Sequence, residues 1–141
     1  KTIPQLFQER GEEEFRKLER AMLEEVSAME DVIISTGGGT ACFFDNIELM
    51  NQTGETIYLQ ASVDTLFDYL KTAKKERPLL AQKNDEELYE FINENLKKRE
   101  PYYLQARHIL DSMDESDLLF DELLNSHPSN SLKRSKPTAV P

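Results

Sequence analysis

The residues with the clearest capacity for chemistry are three consecutive glycines, Gly37, Gly38 and Gly39, closing the apolar run Val32-Ile33-Ile34-Ser35-Thr36. Backbone without side chains lets a ligand approach closely. In open α/β sheets, ligands bind beyond the carboxyl ends of strands. On these residues alone, a ligand corner and a plain glycine-rich turn both stand. Arginines can supply complementary chemistry, among them Arg16, Arg77 and Arg99. A guanidinium is a planar fork of donors that suits a carboxylate or a phosphate, and lysine does not replace it. Each also has an ordinary reading. Arg16 can pair with Glu12 or Glu19 along a helix. Arg77 can be an exposed loop cation. Arg99, with Lys97 and Lys98, can complement the negative end of a helix.

Elements must place these groups. Thr2 is a candidate cap for a short helix, with Pro4 in its first turn and Leu6 and Phe7 facing inward. Gly11 breaks that helix. The next spans 12–29, where Phe15, Leu18, Met22, Val26 and Met29 recur at steps of three and four and form one apolar stripe. The run VIISTGGG has no polar alternation, as expected of a strand covered on both faces. Asp45 and Glu48 suggest a capping box for a helix to about Met50. Thr56–Ala61 reads as a second strand. Ser62 can cap a helix carrying Val63, Leu66, Phe67, Leu70 and Ala73, bounded by Pro78. Residues 77–84, RPLLAQKN, read as a mobile loop. Asn84 with Glu87 starts a helix with Leu88, Phe91, Ile92 and Leu96, which Pro101 interrupts or kinks. His108–Asp111 is a short third strand, and Ser116 can start a last helix. The alternation predicts an α/β domain with a parallel sheet.

The 141 residues fit a single domain with a sizeable core. A net charge of −10 argues against general binding to nucleic acid or an anionic membrane. It leaves room for a small anion held by a few arginines in one cleft. The lone cysteine, Cys42, excludes an intrachain disulfide and suits a reducing, cytoplasmic setting. No run is long and apolar enough for a membrane span. Residues 127–141, rich in Pro, Ser and Lys, read as a disordered tail.

Several motifs in series carry a resemblance: Gly11-Glu12-Glu13-Glu14-Phe15-Arg16-Lys17-Leu18-Glu19 as GExxFRxxE, then VIISTGGG, TIYL, RPLL at 77–80 and REPYYLQA at 99–106. In order and approximate spacing the chain resembles shikimate kinase over Thr2–Asp111. The resemblance implies a P-loop kinase-like α/β/α fold of three layers with a parallel sheet of order 2-3-1-4-5. It implies ATP-dependent phosphorylation of shikimate to shikimate 3-phosphate, in the route to chorismate and the aromatic amino acids. Arg16 resembles the arginine that pairs with the substrate carboxylate, and Glu19 a residue that holds it. Phe7 and Phe15 match positions lining the substrate ring. Gly37, Gly38 and Gly39 match substrate-binding glycines, and Arg99 a second substrate arginine. Arg77 resembles the catalytic lid arginine that closes over the ATP phosphates, within a lid at about 77–84. A monomer, with no nucleic-acid or membrane partner, is expected.

The departures are as informative. The phosphate loop GxxGxGK[ST] does not occur in these residues, and Gly39 is followed by Thr40-Ala41-Cys42. The aspartate segment serving metal and the reacting hydroxyl is absent too, so ligands for ATP and Mg²⁺ are expected upstream of Lys1, with the family's first two strands. Asp68-Tyr69 stands where the family often has an arginine. Residues 1–126 are thus expected to be a partial domain, with substrate-binding helices over 2–29. Without the first strand, VIISTGG and TIYLQA would expose unpaired edges. A fragment of low stability, inactive alone, follows as an expectation. The alternative is a degenerate, non-catalytic kinase-like module binding an anionic metabolite or a protein partner.

Overall fold

The computed structural model describes residues 2–73 and 78–112. The expected helix from Ser116, the tail and Arg77 lie outside the described residues. Helix α1 spans Ile3–Ser27. Its start is a full capping box: the Thr2 hydroxyl accepts the Gln5 N–H at 3.4 Å, and Gln5 Oε1 accepts the Thr2 N–H at 2.9 Å. The break expected at Gly11 is a kink inside one helix. Gly11 has φ 77° and ψ 170°, a conformation open almost only to glycine.

The face α1 turns inward differs from the apolar stripe. Leu18, Met22 and Met29 are exposed, while Phe15 and Val26 are half-buried. The packed face is Arg16, Glu19, Arg20 and Leu23, and of these only Leu23 is apolar. It meets α2, Asn46–Thr53, and the 3-10 turn Thr40–Cys42. Hydrophobic periodicity finds the face best able to bury apolar area. Here ion pairs and hydrogen bonds carry the contact instead. Arg20 donates to Glu24 at 2.9 Å, to Asn46 Oδ1 at 2.8 Å and to Asp45. Asp45 therefore does not cap α2 with its side chain, contrary to expectation, because its carboxylate is spent on Arg20.

Two strands form the sheet among the described residues: β1, Ile57–Gln60, and β2, His108–Asp111, parallel, with Ile57 beside His108 and Gln60 beside Asp111. The strand expected at VIISTGGG is not one. Residues 32–38 carry no strand pairing, and Val32, Ile33 and Ile34 are 45%, 42% and 45% exposed. A strand exists through backbone pairing with a neighbour, and no described strand lies beside this run.

The apolar core lies between α3, Val63–Ala73, and the long helix α5, Asp85–Tyr103. Leu70, Leu80, Leu88 and Ile92 are buried together, with Val63, Leu66 and Phe67 against them. Leu80 comes from α4, Pro78–Ala81, so the segment read as a mobile loop contains a helical turn anchored by one buried leucine. Asn84 caps α5 by accepting the Glu87 N–H at 2.8 Å. Pro101 neither ends nor interrupts α5, which runs on to Tyr103. It sits in the last turn, where losing one backbone donor affects a single helical bond.

Candidate functional site

The site is built where α1, the 3-10 turn and the end of α5 meet. From α1, Arg16 points its guanidinium at the glycine corner. Its side chain is only 12% exposed. Nη1 donates to Glu19 Oε1 at 2.9 Å, and Nη2 lies 3.8 Å from Glu12 Oε1. The guanidinium carbon stands 4.1 Å from the centre of the Phe43 ring and 5.1 Å from that of Phe15. Such stacking suits a planar cation with little hydration. Nε is buried and has no hydrogen-bond partner among the described residues.

Gly39 explains why this packing is possible. A Cβ there would lie 2.7 Å from Arg16 Nη2 and 2.8 Å from Nη1. Its φ of −87° and ψ of −15° are open to any residue. Glycine here gives the guanidinium its room; the backbone conformation does not demand it. Gly38 is half-buried, and its carbonyl accepts from the Tyr103 hydroxyl. Gly37 is exposed, and a Cβ there would meet only Thr40 Oγ1, at 3.7 Å.

From α5 comes Arg99, half-buried. Its charge acts on both the Tyr103 hydroxyl and the Cys42 thiol, and Arg16 acts on the same thiol. The two arginines, 83 positions apart, thus both act electrostatically on one sulfur, which lies 4.0 Å from the Gly38 carbonyl oxygen. Burial pushes the Cys42 thiol above its ordinary range, against the pull of Arg99 and then Arg16. Burial also raises Tyr103, again opposed by Arg99. Tyr58 of β1 supports the arrangement from below. Its ring packs on Tyr103 with centroids 5.1 Å apart, and its hydroxyl donates to Glu100 Oε2 at 2.9 Å. Burial and that carboxylate hold the Tyr58 phenol protonated well above its usual range.

The residues singled out from sequence fall in three groups. Arg16, Glu19 and Gly39 are brought together, Gly38 is tied to Tyr103, Arg99 acts on Tyr103 and Cys42, and Gly37 stands exposed. Phe7 and Phe15 pair at the kink side, ring centroids 5.5 Å apart, with Phe7 exposed and Phe15 against Arg16. Arg77 lies outside the described residues. Sequence reasoning missed Thr40, Cys42, Phe43, Tyr58 and Tyr103. One signal was available: Tyr103 lies four residues after Arg99, on the same helix face. Thr40 and Phe43 had none beyond following the glycines.

A sequence model of the shikimate kinase family, described as "Shikimate kinase", matches residues 1–127. A shikimate kinase of Phocaeicola vulgatus is 55% identical over 117 residues, covering 83% of this chain and 67% of that protein. One from Bacteroides thetaiotaomicron is 51% identical over 117 residues, with the same coverage of 83% and 67%. The chain thus spans about two thirds of the length of these curated relatives. The crystal structure of a shikimate kinase from Bacteroides thetaiotaomicron superimposes with a TM-score of 0.82 at 47% identity, covering 89% of this chain and 76% of that one. That of Aquifex aeolicus gives a TM-score of 0.68 at 32% identity, covering 93% and 74%. The fold is accordingly the α/β fold of P-loop kinases. Among the described residues, no helix is long and apolar enough to cross a membrane.

Proposed function

This chain belongs to the shikimate kinase family, and from that premise we propose that it binds shikimate at the corner between Arg16, Gly39 and Arg99. It serves transfer of a phosphoryl group from ATP to a shikimate hydroxyl, giving shikimate 3-phosphate for aromatic amino-acid biosynthesis. The observation supporting this reading is that guanidiniums from α1 and α5 both act on the Cys42 thiol beside the glycine triplet, with Arg16 packed on Gly39.

The chemistry follows from which edges of Arg16 are taken. Glu19 occupies Nη1 at 2.9 Å, the Glu12 contact to Nη2 is long at 3.8 Å, and Nε has no partner among the described residues. The Nε/Nη2 edge is thus the one left for both oxygens of a carboxylate side-on, once the buried Nε is uncovered. Arg99 supplies the second positive charge. The Phe7–Phe15 pair gives the cyclohexene ring an apolar wall. Glu19 neutralises part of the Arg16 charge and orients it. A single cysteine, Cys42, accords with a cytoplasmic setting, and a monomer suffices for the site.

The residues present do not fit a nucleotide triphosphate. The glycine triplet leads into a 3-10 turn of three residues rather than a full helix, and Thr40-Ala41-Cys42 stands in place of a Lys-Ser/Thr pair. Among the described residues, no three His, Cys, Asp or Glu side chains gather to hold a metal ion. These residues thus supply neither a phosphate loop nor, among the described ones, a metal-ligand set; ATP with Mg²⁺ is part of the proposal. Arg77 as a lid cation over the phosphates, within 77–84, rests on the resemblance, and Leu80 is that segment's anchor.

Titration of the chain with shikimate tests the reading. Arg16→Ala and Arg99→Ala should each weaken binding about tenfold or more, the loss of a charge-assisted hydrogen bond. Unchanged affinity in both would overturn the site.

A further inference from the structure

Arg16 is held by a chain of hydrogen bonds that leaves α1 at Arg20 and returns to it at Glu19. Arg20 Nη1 donates to Asn46 Oδ1 at 2.8 Å, and Asn46, wholly buried, donates through Nδ2 to the Thr40 carbonyl at 2.8 Å. Thr40 is 4% exposed and follows Gly39 directly. Its hydroxyl donates to Glu19 Oε2 at 3.0 Å, while Glu19 Oε1 accepts from Arg16 at 2.9 Å. Each oxygen of the Glu19 carboxylate thus has one fixed donor.

We propose that Thr40 is a positioning residue for substrate recognition: its hydroxyl sets the rotation of the Glu19 carboxylate and so seats the Arg16 guanidinium against Gly39. This rests on reading Arg16 and Gly39 as two sides of the shikimate site. A glutamate on a helix has several torsions to settle, whereas a threonine is stiff at its single torsion. Asn46 pins the backbone of Thr40 by its carbonyl, so the hydroxyl is a fixed reference point. That point is covalently next to Gly39. One oxygen therefore keeps the glycine corner and the guanidinium in register. Without it, Glu19 Oε2 loses its donor in a side chain only 17% exposed. The carboxylate must then turn to share Arg16 or reach for water, and either turn moves the guanidinium.

The test compares Thr40→Val, which keeps the shape and removes the hydroxyl, with Thr40→Ser, which keeps the hydroxyl. Both are made in the full 141-residue chain. Two readouts are taken: exchange protection of the Arg16 Nε–H by proton–nitrogen NMR, and the dissociation constant for shikimate. Thr40→Val is expected to lose the protection and weaken shikimate about tenfold, and Thr40→Ser to restore both. Should Thr40→Val fail to fold, Glu19→Gln replaces it; a single acceptor oxygen then faces two donors, and the Nε–H loses protection. Wild-type protection and affinity in Thr40→Val would overturn the proposal, as would equal losses in Val and Ser. If Arg16→Ala binds shikimate as tightly as wild type, the substrate reading fails instead. The Nε–H protection still decides the positioning claim.

Discussion

Gly39→Ala isolates the close approach on which the site depends. The new Cβ would meet Arg16 Nη2 at 2.7 Å, Nη1 at 2.8 Å and Cζ at 3.0 Å. To reach an ordinary contact of 3.4 Å the guanidinium must retreat by about 0.7 Å. It has little room to do so, with Glu19 at 2.9 Å and the Phe43 ring at 4.1 Å. Displacement weakens a hydrogen bond between charged groups, worth about 1.5–3 kcal/mol, so shikimate affinity should fall by about 10- to 100-fold. Stability should move far less. At φ −87° and ψ −15° alanine is unstrained, and a less flexible unfolded chain returns about 0.4–1 kcal/mol against the clash. The assay is calorimetric titration with shikimate beside urea unfolding. Gly37→Ala is the contrast, since its Cβ meets only Thr40 Oγ1 at 3.7 Å; it should lose less affinity than Gly39→Ala. Wild-type affinity in Gly39→Ala would refute the reasoning, because Arg16 would then not need that space.

Gly11→Ala should cost about 1–3 kcal/mol in urea unfolding, because φ 77° with ψ 170° is strained for any side chain. It should also disturb the Phe7–Phe15 pair across the kink. Leu88→Ala, at a residue with no exposure between α3 and α5, should destabilise by about 2–5 kcal/mol, read from the urea midpoint. Cys42 should react with iodoacetamide only as pH rises above the ordinary thiol value of 9.0, since burial outweighs the arginines. Removing a cation that favours the thiolate raises that midpoint further. Arg99→Ala should therefore shift the pH profile upward, and Arg16→Ala by less; profiles unmoved in both variants would place the arginines away from the sulfur.

Much of this arrangement was legible in the chain, for identifiable reasons. Thr2, Asn84 and Gly11 act through local backbone chemistry, so their roles follow from residue type and neighbours. Strands β1 and β2 follow from short apolar runs bounded by turns. The candidate site arginines were singled out through motifs in series, since an isolated arginine reads equally well as a surface ion pair. What failed depended on partners distant in sequence. Val32–Ile34 has strand chemistry but no strand beside it among the described residues. Asp45 has the cap residue's chemistry, yet Arg20 takes its carboxylate. The packed face of α1 was misread because Arg16 and Glu19 are half-buried as an ion pair and Arg20 by its bonds to Asp45 and Asn46, which hydrophobic periodicity does not register. Thr40 and Phe43 acquire their roles only when the 3-10 turn folds back on α1.

The most direct test compares shikimate with its methyl ester, which removes the carboxylate charge and leaves the ring unchanged. In the wild-type chain the ester should bind about tenfold or more weakly, the worth of a charge-assisted pair. In Arg16→Ala the acid and the ester should bind nearly alike. An ester penalty of the same size in wild type and Arg16→Ala would contradict the assignment of that guanidinium to the substrate carboxylate.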